Sequence, residues 1–201
     1  MNKKIASLIL VTALLISIAA ASEIFTARAQ VATSISILAT TSTGITTTTS
    51  STTIDNCAYS PITLTATISG GSSPQASAIT WTANSSTGSF TTPTTTSTTS
   101  TVTYTDTSTS AVTVTIKASY PGNSANLPSQ NTVQVKIYNI DFNHDGVVNF
   151  LDVVAFVQAY IAYQTNHSNY NAAYDLAGDG AIDFNSITLF VGLYESYQGP
   201  V

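Results

Sequence analysis

Two twelve-residue windows, 141–152 and 175–186, hold six of the last seven acidic residues of this chain, and no lysine or arginine follows Lys136. Like charges packed this densely repel unless a cation sits among them, so the carboxyl-terminal part must close around a metal ion or stay open. The first window, DFNHDGVVNFLD, sets oxygen-bearing side chains at positions 1, 3, 5, 9 and 12, as Asp141, Asn143, Asp145, Asn149 and Asp152, with Gly146 at position 6. This is the calcium-loop pattern. Alternate residues turn oxygens inward, the glycine permits the sharp turn, and position 7, here Val147, contributes its carbonyl. Val148 at position 8 is apolar, as required where paired loops touch. Asp152 at position 12 can coordinate from the first turn of a following helix.

The second window, DLAGDGAIDFNS, begins 34 residues later and keeps Asp175, Asp179, Gly180 and Asp183 at positions 1, 5, 6 and 9. Ala177 at position 3 offers no side-chain oxygen, and Ser186 at position 12 cannot give a bidentate carboxylate. The Ala181 carbonyl and water complete the expected shell, with weaker affinity than the first loop because fewer charges converge. The duplication runs on past each loop. Val153, Phe156, Val157 and Tyr160 match Ile187, Phe190, Val191 and Tyr194, and Tyr163 matches Tyr197. Spacings of three, four and seven describe one helix face, so each loop is expected to feed a helix whose stripe packs against the other.

Upstream, from about Val31 to Asn139, the chain is dominated by threonine and serine, a composition that also fits a glycosylated stalk. Apolar residues nevertheless recur at alternate positions: Ile62, Leu64, Ala66, Ile68; Ile79, Trp81, Ala83; Val112, Val114, Ile116, Ala118, Tyr120; and Val133, Val135, Ile137. Period two means half-buried strands, with β-branched threonine on the outward face. Gly70-Gly71, Asn84 to Gly88 and Pro121-Gly122-Asn123 punctuate them as turns. Several short strands around one tryptophan predict a β-sandwich with Trp81 in its core. Asn84-Ser85-Ser86 and Asn166-His167-Ser168 match the N-glycosylation pattern, which arises often by chance in so hydroxyl-rich a chain.

At the amino terminus, Lys3 and Lys4 precede an uncharged apolar run from Ile5 to Ala21, and Ala27-Arg28-Ala29 offers a cleavage site before Gln30. This reads as a secretory signal, with an uncleaved membrane anchor as the alternative. Beyond Arg28 only Lys117 and Lys136 are cationic, which excludes a nucleic-acid binder that works by phosphate neutralisation. The single cysteine, Cys57, excludes an internal disulfide, and no His or Cys spacing fits zinc. No recognisable motif positions a base beside a nucleophile, so the chain reads as non-catalytic.

LTATISG, ITWTANSSTGSF, TVTYTDTSTSAVTVTIKASYPGN and TVQVKIY, spread over residues 60–138, resemble bacterial immunoglobulin-like domains of surface adhesins. Residues 141–197, with DFNHDGVVNFLD, NAAYDLAGDGAIDF and the matched helices, resemble dockerin domains. The expected architecture is a signal peptide at 1–29, an all-β immunoglobulin-like sandwich at 30–139 and a small α-helical dockerin-like module with two EF-hand-type calcium loops at 140–201. The dockerin resemblance implies calcium as cofactor and a cohesin-type domain, or another cell-surface protein, as partner. It also implies that positions 10 and 11 of each loop read that partner: Phe150, Leu151, Phe184 and Asn185. Gln158 and Ala159 stand where the family often carries basic residues. The function expected is that of a secreted or surface docking protein with the sandwich as spacer or adhesive unit. Two alternatives are a self-associating structural protein stabilised by calcium, and an accessory role in polysaccharide degradation through glycan binding.

Overall fold

The computed structural model describes residues 29–41, 46–47 and 53–197; the expected signal segment lies almost entirely outside them. Among the described residues ten strands precede two α-helices. They are β1 (Thr33–Thr40), β2 (Thr46–Thr47), β3 (Thr53–Cys57), β4 (Ile62–Gly70), β5 (Thr80–Ala83), β6 (Gly88–Phe90), β7 (Thr94–Thr95), β8 (Thr99–Asp106), β9 (Val112–Tyr120) and β10 (Ser129–Tyr138), followed by α1 (Phe150–Thr165) and α2 (Phe184–Ser196). No helix among the described residues is long and apolar enough to cross a membrane.

One sheet runs β2-β1-β4-β8-β6, with β7 also on β8; the other runs β3-β10-β9-β5. Pairing is antiparallel except between β3 and β10, which are parallel with Thr53 opposite Gln134 and Cys57 opposite Tyr138. The alternation read from sequence is the one that folds. Ile62, Leu64, Ala66 and Ile68 face inward from β4, and Val114, Ile116, Ala118 and Tyr120 from β9, all buried. The sheets therefore meet through their apolar faces and leave threonine outside, the arrangement in which area removed from water stabilises most. β1 supplies Ile35, Ile37 and Ala39 to the same core.

Trp81 corrects its expectation in degree. It is partly buried at the rim of the core, and its indole N–H donates to Ser100 Oγ at 3.1 Å. Phe90 and Tyr104 complete this aromatic edge, with ring centroids 4.9 Å apart. The Tyr104 ring occupies the space a side chain on residue 88 would need, which accounts for Gly88 in β6. Tyr104 Oη donates to buried Asp106 at 2.6 Å, and Thr87 and Ser108 donate to the same carboxylate. Burial opposes the charge of Asp106, but these donors outweigh it and hold its carboxyl down to about 2.

The helical part does not hang from the sandwich on a tether. Cys57, Tyr138 and Ile140 share one buried cluster with Val148, Phe156, Leu176, Phe190, Leu193 and Tyr197. The Cys57 thiol donates to the Leu193 carbonyl at 3.2 Å, and burial pushes its pKa up to about 12. Alkylation at pH 8 should thus be slow in the native protein and accelerate when α2 is displaced by mild urea, before the sandwich unfolds. Labelling that appears only with loss of sheet signal would mean the two parts open together.

Candidate functional site

Each loop opens on a buried or half-buried aspartate and enters its helix through an N-cap at position 9. In loop one, Asp141 is 3% exposed and Asp152 0%. The Asp141 carboxylate accepts from the amides of Asp145 (3.2 Å) and Gly146 (2.9 Å). Asp152 accepts from Phe142 and Asn143 on one oxygen and from Asn149 on the other. The Asn149 side chain in turn accepts from the Leu151 amide at 2.8 Å, so Asn149 and Asp152 form a capping box at the start of α1. Asn143 Nδ2 donates to Asp145 at 2.8 Å, and Asp145 accepts from the Val147 amide. The turn needs left-handed backbone at His144 (φ 59°) and Gly146 (φ 85°), as the loop pattern requires of its sixth position.

Among the described residues no three His, Cys, Asp or Glu side chains converge into a ready-made metal cluster. The loop-one carboxylates are instead spread around the turn on backbone amides. Two of them are buried in a segment that has no lysine or arginine, and buried anions without a counter-charge are costly. The donor set of Asp141, Asn143, Asp145, Asn149, Asp152 and the Val147 carbonyl is entirely oxygen, the choice of a hard divalent cation with flexible coordination. These residues fit calcium.

Loop two is built differently. Asp175 accepts from the amides of Gly178 (2.7 Å), Asp179 (3.3 Å) and Gly180 (2.8 Å), and from the Tyr170 hydroxyl at 2.8 Å. Burial opposes its charge, but the Tyr170 hydroxyl and these amides outweigh it and hold its carboxyl below the usual range. Asp183 caps α2 by accepting from the amides of Asn185 and Ser186. Asn185 is exposed, yet its side-chain amide turns back onto Asp179 (3.2 Å) and Asp183 (3.4 Å). Ser186, fully buried, donates to the Ala181 carbonyl at 3.4 Å. The loop thus links Asp179 and Asp183 through Asn185 and holds Asp175 on backbone amides, without the oxygen-rich set of loop one. Val148 and Ile182, at position 8 of each loop, are both buried, though no strand ladder joins them among the described residues.

Between the loops, α1 and α2 meet through stacked rings. Phe156 lies 4.5 Å from Phe190 at 13°, and Phe142 lies 4.6 Å from Tyr174. Phe142 also packs on both helix rings, and Tyr174 on Phe156. Val157 and Val191 are each 45% exposed rather than internal, which corrects that expectation: the helices close through Phe156 and Phe190 and leave the valines beside the contact. They line an apolar groove of about 410 Å³ between the helices, together with Val153, Phe156, Ile187 and Phe190. Ile161 (57%) also lines this groove, and Phe150 (69%), Leu151 (58%) and Phe184 (75%) are exposed at the helix starts. Ile161 was not anticipated. Its signal lay in a second row on α1, Phe150, Val154, Val157 and Ile161, at spacings of four, three and four.

Residues 139–187 match the family model described as the Dockerin type I domain. This dockerin segment contains both loops and all of α1, and ends in the first turn of α2. No curated protein and no solved structure matches the chain. Dockerin domains bind calcium and dock to cohesin domains in general, and they occur typically in extracellular or cell-surface proteins.

Proposed function

We propose that this chain is a secreted or surface-attached, non-catalytic docking protein whose dockerin segment, organised by calcium in loop one, seats on a cohesin-type domain. The observation that carries the reading is the pairing of the family match with exposed Phe150, Leu151 and Phe184, large apolar side chains held out at the helix starts. Large apolar side chains left exposed on a rigid scaffold are what a protein partner covers. The sandwich serves as spacer or adhesive unit. Its strand order, with a parallel β3–β10 pair closing one sheet and β1-β4-β8-β6 forming the other, supports an immunoglobulin-like identity.

A second reading, in which calcium only stabilises the helical part against its own sandwich, draws on the shared cluster around Cys57 and Tyr138. The two separate in one experiment. The full chain should bind immobilised cohesin domains in calcium and release them in chelator, with the Asp145→Ala variant failing to bind at any calcium concentration. Calcium-dependent stability without capture by any cohesin of a broad panel would favour the second reading.

A further inference from the structure

We propose that loop two is closed from within, by the Asn185 side-chain amide acting in place of a cation, so that the module binds one calcium ion rather than two. The proposal deepens the calcium-binding reading of the dockerin segment and rests on it.

Three substitutions relative to loop one act together. At position 11, loop one has Leu151, which cannot reach the carboxylates, whereas loop two has Asn185, whose Nδ2 donates to both Asp179 (3.2 Å) and Asp183 (3.4 Å). One NH₂ group has two hydrogens, and both are used to draw two like charges together. At position 12, Asp152 of loop one is replaced by Ser186, which is equally buried. Its hydroxyl donates to the Ala181 carbonyl at 3.4 Å, the oxygen a calcium ion would otherwise take from position 7. At position 3, Asn143 is replaced by Ala177, which removes a side-chain ligand outright. Outside the loop, the Tyr170 hydroxyl donates to the same Asp175 oxygen that receives the Gly180 amide. That leaves three carboxylates and no bidentate closing ligand, a donor set too thin to displace these bonds at the calcium concentration that fills loop one.

Native mass spectrometry of the full chain, counting calcium ions as calcium is raised, tests this. Wild type should saturate at one ion per chain, and the Ala177→Asn, Ser186→Asp double variant, which restores the loop-one ligands, at two. Two ions in wild type, filled within about tenfold of each other in concentration, overturns the proposal and leaves the calcium reading standing. A folded double variant that stays at one ion even after Asn185→Leu is added also overturns it, because neither the missing oxygens nor the amide would then be what excludes the second ion. No ion in either protein overturns the calcium reading itself. Should the double variant not fold, Asn185→Ala decides: its thermal midpoint should fall equally in calcium and in chelator. A fall confined to chelator would show calcium taking the place of the amide, and the proposal fails.

Discussion

Asp152→Ala should be the most damaging single change in the helical part, costing about 3 kcal/mol in chelator and more in calcium. The side chain is fully buried and accepts three backbone N–H groups, from Phe142, Asn143 and Asn149. Alanine leaves all three without an acceptor, removes half of the capping box of α1, and takes away the position-12 ligand of loop one. Circular dichroism should show helix lost at lower temperature in both conditions, with calcium no longer raising the midpoint. Asp152→Asn separates the two roles. Its oxygen can still serve Phe142 and Asn143, but its NH₂ faces the Asn149 amide, donor against donor. A variant as stable in chelator as wild type would show that the cap is dispensable.

The second large effect is on association. Phe150→Ala with Leu151→Ala should weaken cohesin binding by about 2–4 kcal/mol, the range of a central hot spot, while moving stability by less than about 0.5 kcal/mol. Both residues are exposed and neither belongs to the buried clusters. Phe184→Ala should cost less. The exposed row on α1 is apolar throughout, whereas its counterpart on α2 reads Phe184, Thr188, Val191 and Glu195. Asn185, moreover, is turned into its loop. The duplicated module is therefore not two equivalent faces, and α1 is expected to be the preferred one. Surface plasmon resonance on the variants in saturating calcium measures this; equal losses from the two halves would refute the preference for α1.

What could be read from the chain depended on whether a residue's role was local. The β4, β9 and β10 alternation is a property of neighbours two apart, and each of these strands folds as read. Loop one is likewise local, since six positions of one short turn define it. β3 carries no such pattern in TIDNC: Asn56 is buried because its amide reaches the Ser60 carbonyl, and Cys57 because α2 covers it. Its burial is set by a strand and a helix that come much later in the chain. The helix stripes failed at Val157 and Val191 for a related reason. Periodicity gave the face, but the helices close through Phe156 and Phe190 and leave the valines on the open groove beside them, a matter of how two helices cross and not of spacing within either. Nor could spacing show that Ser186, already unable to supply a closing carboxylate, would turn its hydroxyl to Ala181.

The parallel pairing of β3 with β10 has a mechanical meaning. Both strands point the same way, with five residues of each in register from Thr53–Gln134 to Cys57–Tyr138. Tension drawn out through the end of β10, as when the docked helices are held and the segment before β3 is pulled, acts along that ladder rather than across it. Every hydrogen bond of the pair then bears load at once, instead of opening singly as in a peeled hairpin. The cluster around Cys57 and Tyr138 clamps the point where the force enters. A strand pair loaded this way holds its grip under tension and yields abruptly, as a shear pin does.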